Sequence, residues 1–129
     1  MNTNMKPKRI LVVDDEPSLT RMIKFNLEQH GEYEVQEVNV ATQVLGEARR
    51  FQPELVLLDV MMPGMDGGAV AAQLQEDPGL KKVPIVFLTA AAKKVEVASR
   101  GGLIGGLPFL AKPLDLKDLL HCLRKHLGR

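Results

Sequence analysis

The sequence predicts an α/β domain built as a doubly wound parallel sheet with helices on both faces. Three observations predict it. Short apolar runs alternate with helical patterns from one end to the other, with no internal repeat and no linker, as in consecutive βαβ units. The run Leu55-Val56-Leu57-Leu58 carries no polar residue, which suits a strand covered on both faces. A length of 129 residues fits one domain around one core, spanning 1–129, with no second domain expected.

The elements follow in order. Ile10-Leu11-Val12-Val13 is the first strand, and Glu16-Pro17 opens a helix whose apolar face holds Leu19, Met22, Ile23 and Leu27. Gly31 ends that helix. Tyr33 to Val38 is a weaker strand with glutamates between its apolar residues, as expected near a sheet edge with charges facing water. Val44, Leu45, Ala48 and Phe51 form a second helical stripe, and Pro53 precedes the strand at 55–58. Asp66-Gly67 reads as a turn into a third helix resting on Val70, Ala71 and Leu74. Ile85 to Leu88 is a fourth buried strand, ending at Thr89-Ala90. The fourth helix, over 91–100, is expected to be short or irregular, because few of its residues are large and apolar and GGLIGGL follows at 101–107. Phe109-Leu110-Ala111 is a fifth strand ending at Lys112-Pro113, and the last helix places Leu116, Leu119, Leu120, Leu123 and Leu127 at helical spacing.

Composition narrows the partners. The 17 Lys and Arg nearly balance 16 Asp and Glu, giving a formal net charge of +1, so no overall field draws nucleic acid or a membrane. MNTNMKPKRI has no apolar h-region, and no stretch approaches the roughly 18 apolar residues of a membrane span. The single Cys122 excludes an internal disulfide and a Cys-based zinc site, in keeping with a reducing cytoplasm. His30, His121 and His126 fall in helical segments without ligand spacing, and 101–107 lacks the phosphate-binding pattern of a P-loop.

The ends of the strands carry the chemistry. In a doubly wound sheet ligands bind outside the carboxyl ends of the strands, and right-handed crossovers bring those ends to one edge. Strand one ends in Asp14-Asp15, strand three in Asp59, strand four in Thr89 and strand five in Lys112. The second strand contributes nothing comparable. Three converging carboxylates repel one another and call for a hard divalent cation; magnesium suits oxygen ligands, with manganese as a substitute. One carboxylate is then free to attack phosphorus and form an acyl phosphate. Asp59, ending the central apolar run, is the candidate nucleophile, with Lys112 and Thr89 placed to stabilise phosphoryl oxygens.

The segments ILVVDDEP, LVLLDVMMPGMDG, IVFLTA and FLAKP, in that order, resemble the receiver domain of bacterial two-component response regulators over essentially the whole chain. The resemblance implies a flavodoxin-like, CheY-like fold with strand order 2-1-3-4-5. It makes Asp59 the phosphoacceptor, Asp15 a direct magnesium ligand, Asp14 a ligand acting mainly through water, and the Met61 carbonyl a further metal oxygen. It pairs Lys112 with the phosphoryl group, with a cis bond between Lys112 and Pro113. Thr89 and Phe109 become the switch pair. The implied phosphodonor is a sensor histidine kinase, a phosphotransfer protein or a small donor such as acetyl phosphate, and the implied output is a downstream protein target. A receiver of this kind catalyses only its own phosphorylation and dephosphorylation. The chain reads either as a stand-alone receiver or as a fragment of a larger protein.

Two rivals remain at this level. A haloacid-dehalogenase-type phosphatase also uses a strand-end aspartate and magnesium, but its pattern wants a second aspartate where this chain has Met61. A receiver-like adaptor that is never phosphorylated usually lacks an acidic, threonine or lysine position, and none is missing here.

Overall fold

Aliphatic strands with no polar face need cover on both sides. The computed structural model, which describes residues 6–89, 103–104 and 107–128, supplies it. Five parallel strands, β1 (Lys8–Val13), β2 (Tyr33–Val38), β3 (Leu55–Asp59), β4 (Ile85–Thr89) and β5 (Leu107–Ala111), lie in the order β2-β1-β3-β4-β5. The glycine-rich segment adds a short antiparallel edge: Leu103 pairs with Pro108 and Ile104 with Leu107. The four α-helices among the described residues are α1 (Pro17–Glu28), α2 (Val44–Phe51), α3 (Gly67–Glu76) and α4 (Leu116–Leu127). The helix expected over 91–100 lies outside the described residues. No helix among the described residues is long and apolar enough to cross a membrane.

Successive strand residues point to opposite faces, and that alternation divides the core in two. Leu11, Val13, Val56, Leu58, Ile85 and Phe87 pack with Val44 and Ala48 of α2 and Val70 and Leu74 of α3. Ile10, Val12, Leu55, Leu57, Val86 and Leu88 pack with Ile23 and Leu27 of α1 and Leu119, Cys122 and Leu123 of α4. All five residues of β3 and of β4 are buried, as the unbroken apolar runs require. Truncating one of these fully enclosed leucines to alanine costs about 2–5 kcal/mol.

Local chemistry sets the element ends. Pro17 occupies the first turn of α1, where its missing N–H is not needed. His30 lies in the turn beyond α1, not within a helix as its sequence context suggests. Asp115 caps α4 by accepting the Lys117 amide at 2.8 Å, and Gly128 closes it with φ 77°. β2 is an edge strand, as its composition predicts. The stretch after β3 differs from the sequence reading. Met61–Met62 and Met65–Asp66 form a small antiparallel hairpin, so Asp66 belongs to a strand pair and α3 begins directly at Gly67. Pro63 and Gly64 make its turn, with Gly64 at φ 84°, the residue pair a type II turn favours.

Candidate functional site

Because the five main strands are parallel, their carboxyl ends share one edge, and the switch in strand order falls between β1 and β3. Asp14 follows β1 and is fully enclosed, Asp59 ends β3 with 5% of its surface exposed, and Thr89 ends β4 at 1%. Asp15 stands exposed beside Asp14. Carboxylate oxygens from Asp14, Asp15 and Asp59 all lie within 4.8 Å of one another. Lys112, just past β5, reaches back with its Nζ 2.6 Å from Asp14 Oδ2 and 3.6 Å from Asp59 Oδ1. The Lys112–Pro113 bond that follows is cis. Asp15, Glu16, Asp59, Val60, Met61, Thr89 and Lys112 line a cavity of about 240 Å³.

The backbone fixes how the acids are presented. Asp59 Oδ1 accepts the Met61 amide at 3.2 Å, and Asp14 Oδ1 accepts the Glu16 amide at 2.9 Å. Gly67 lets α3 approach: its amide donates to the Val60 carbonyl at 2.6 Å, and a Cβ there would lie 2.5 Å from the Asp59 carbonyl oxygen. Phe109 on β5 sits beside Phe87 in the sheet register and is half-buried against the α2/α3 side of the core.

The electrostatics follow from crowding. Burial and the Asp14 charge push the Asp59 carboxyl up to about 6, with Asp15 adding to the effect and the Met61 amide and Lys112 opposing it. Burial works against the Lys112 ammonium, but Asp14, Asp59 and Glu16 outweigh it and hold that group above its usual value. Among the described residues that ring the cavity, Lys112 is the one cation against three clustered carboxylates. An oxygen-only donor set with excess negative charge fits a hard divalent cation such as magnesium. Thr89 Oγ1 is buried without a hydrogen-bond partner among the described residues, a donor available to a ligand in the cavity.

The structure therefore brings together Asp14, Asp15, Asp59, Thr89, Lys112 and the main chain at Met61, all selected from the sequence. Three participants escaped that reading. Glu16, largely exposed at the cavity mouth, comes within 3.9 Å of Lys112. Asn39, directly after β2, donates to the Asp14 carbonyl at 2.8 Å, so the second strand does contribute to this edge. Glu37, expected to face water, accepts the Thr20 hydroxyl at 2.8 Å. An asparagine one residue beyond a strand end was the available signal for Asn39. A second groove of about 650 Å³ adjoins the cavity, sharing Glu16 and Lys112 and continuing along Ser18, Leu19, Met22, Pro113 and Leu114.

Comparison with known proteins agrees with this geometry. The family model of the response regulator receiver domain matches residues 10–124. The chain is 41% identical over 123 residues to the DNA-binding response regulator MtrA of Mycolicibacterium smegmatis, covering 95% of this chain and 51% of that protein. It is 33% identical over 121 residues to the DNA-binding dual master transcriptional regulator RpaA of Synechocystis, covering 94% of this chain and 49% of that protein. The chain thus spans about half the length of these curated relatives. A crystal structure of a putative response regulator from Chloroflexus aurantiacus superposes with a TM-score of 0.81 at 28% identity, covering 96% of this chain and all of the other. With the matched family model and the acidic edge of its parallel sheet both in place, the chain belongs to the response regulator receiver family.

Proposed function

We propose that the chain is a phosphorylation-controlled signalling receiver that accepts a phosphoryl group on Asp59 and thereby switches a partner-binding surface. The observation that carries this reading is the placement of Asp59: a nearly buried carboxylate at the end of the central strand, clustered with Asp14 and Asp15 and sharing one cavity with Asp15, Thr89 and Lys112. Asp59 is the nucleophile. The Met61 amide holds Oδ1, which fixes the carboxylate plane and leaves Oδ2 to attack. The new bond joins that oxygen to phosphorus as the P–N bond of a phosphohistidine donor breaks, its electron pair leaving with the imidazole nitrogen. With acetyl phosphate the breaking bond is P–O, and acetate leaves.

Asp14, Asp15, Asp59 and the Met61 carbonyl would hold magnesium, which supplies charge neutralisation for carboxylates and phosphoryl oxygens alike. Lys112, now shared between Asp14 and Asp59, exchanges part of that pairing for a phosphoryl oxygen. The Thr89 hydroxyl, without a hydrogen-bond partner among the described residues, donates to another. That movement at the end of β4 makes room for Phe109 on the neighbouring strand and shifts a pre-existing balance between surfaces. The phosphodonor protein, a sensor histidine kinase or phosphotransfer protein, would approach over the 650 Å³ groove, which Met22 lines and beyond which α1 exposes Phe25. The output is carried by a downstream protein partner in the cytoplasm, without direct contact of this chain with nucleic acid.

The test is incubation with acetyl phosphate, with and without magnesium, followed by intact mass measurement beside Asp59→Asn. A magnesium-dependent gain of one phosphoryl group, absent in the variant, is the expected result. Persistent labelling of Asp59→Asn would overturn the assignment.

A further inference from the structure

The β1–α1 turn that presents two of the three acids is held from outside the acidic cluster. Asn39 Nδ2 donates to the Asp14 carbonyl oxygen at 2.8 Å and to Thr20 Oγ1 at 3.0 Å. Thr20, fully enclosed on α1, donates a hydrogen bond to Glu37 Oε1 at 2.8 Å, with the Pro17 carbonyl farther away at 3.2 Å. The chain Glu37–Thr20–Asn39 thus runs from β2 through α1 and ends on the main chain at Asp14. Both of these contacts of the Asn39 side chain are made by Nδ2, and they tie the end of β2 to α1 and to the β1–α1 turn.

The peptide joining Asp14 to Asp15 is a rigid plane, so anchoring its carbonyl sets the direction in which Asp15 leaves it. The other end of Asp14 is tied as well: its amide donates to the Val38 carbonyl at 3.1 Å, and its Oδ1 accepts the Glu16 amide at 2.9 Å. With both sides fixed, the Asp14 carboxylate has one orientation. The Asp15 side chain, exposed to solvent, takes its position from the peptide that Asn39 grips.

We propose that Asn39, supported by Thr20, is a positioning residue of the divalent-cation site, holding the Asp14–Asp15 peptide so that both carboxylates meet Asp59. The proposal rests on reading Asp14, Asp15 and Asp59 as that site. Groups that orient metal ligands are worth as much as some ligands themselves: their loss typically weakens metal affinity about 10–100-fold.

The experiment is calorimetric titration of metal-free protein with magnesium chloride, comparing wild type with Asn39→Ala, Thr20→Val and Thr20→Ser. Asn39→Ala should weaken magnesium binding about 10-fold or more, Thr20→Val by a smaller factor, and Thr20→Ser, which keeps the hydroxyl, by roughly twofold at most. Labelling by acetyl phosphate should then need more magnesium for its half-maximal rate while reaching nearly the wild-type rate at saturation. A lowered melting temperature with unchanged magnesium affinity in Asn39→Ala would reduce the residue to a structural one and overturn the proposal. Should Asn39→Ala fail to fold, the contrast between Thr20→Val and Thr20→Ser decides in its place: equal affinities would overturn it. Absence of magnesium binding in the wild type is a different failure, one that removes the cation site itself and this proposal with it.

Discussion

Burial and the Asp14 charge favour the neutral form of Asp59, so folding draws its carboxyl from 3.8 up to about 6. Between roughly pH 4 and pH 6 the folded chain therefore keeps a proton that the unfolded chain has released. Stability from this group is fully present below about pH 4 and is lost as the pH rises through about 6. At 1.36 kcal/mol per pKa unit the loss approaches about 2–3 kcal/mol in the metal-free protein. Asp59→Asn has no such loss. In EDTA it should exceed the wild type by about 2 kcal/mol near pH 7 and match it near pH 4, measured by urea denaturation at the two pH values. An equal difference at both would mean that the Asp59 carboxyl is not raised. The same expense made Asp59 legible in the sequence, since a carboxylate after four aliphatic residues needs a reason. Asn39 offered no such contrast. An asparagine after a strand is an ordinary turn residue, and its value lies in contacts 19 and 25 positions away, on α1 and just past β1.

Elements long enough to carry a pattern were readable, and shorter ones were not. The alternation of β2, the unbroken apolar runs of β1, β3 and β4 and the leucine stripe of α4 each extend over four or more residues. The hairpin at Met61–Asp66 and the edge pair at Leu103–Ile104 have two-residue strands, too short to show any period. Yet the hairpin leads into the tightest contact at the site. A Cβ on Gly67 would lie 2.5 Å from the Asp59 carbonyl oxygen and 2.7 Å from the Val60 Cα, both main-chain atoms that cannot swing aside. Gly67→Ala should lose about 1–3 kcal/mol to overpacking and also slow labelling of Asp59, because the atoms displaced are the backbone that presents it. Gly46 in α2 is the control, with nothing within 4 Å of an added Cβ. There alanine should instead gain about 0.5–1 kcal/mol through helix propensity and leave labelling unchanged. Urea midpoints and acetyl phosphate labelling rates for the two variants check both signs; equal behaviour would deny Gly67 its special place.

At the scale of the molecule, two apolar cores share one sheet, and among the described residues three carboxylates cluster at a single edge of it. A net charge of +1 spread over the surface does little for that edge, because exposed charges beyond about 10 Å are largely screened at ordinary ionic strength. Neutralisation has to come locally, from Lys112 and, in the function proposed above, from a bound cation. A cation that binds the folded chain and ignores the unfolded one raises stability by RT ln(1 + [L]/Kd), about 2.7 kcal/mol at 100 times Kd. For a domain of this size that corresponds to a rise in melting temperature of about 10 °C. The sign of its pH dependence follows from Asp59: protons compete with magnesium for that carboxylate below about 6, so the magnesium increment should shrink steadily between pH 7.5 and pH 5. Asp15→Ala should lose most of the increment at pH 7.5 while keeping its fold. Differential scanning calorimetry with and without magnesium, at the two pH values, measures all of this. A melting temperature indifferent to magnesium at pH 7.5 would mean that Lys112 alone balances the acidic edge, and the phosphoryl chemistry built on a bound cation would fall with it.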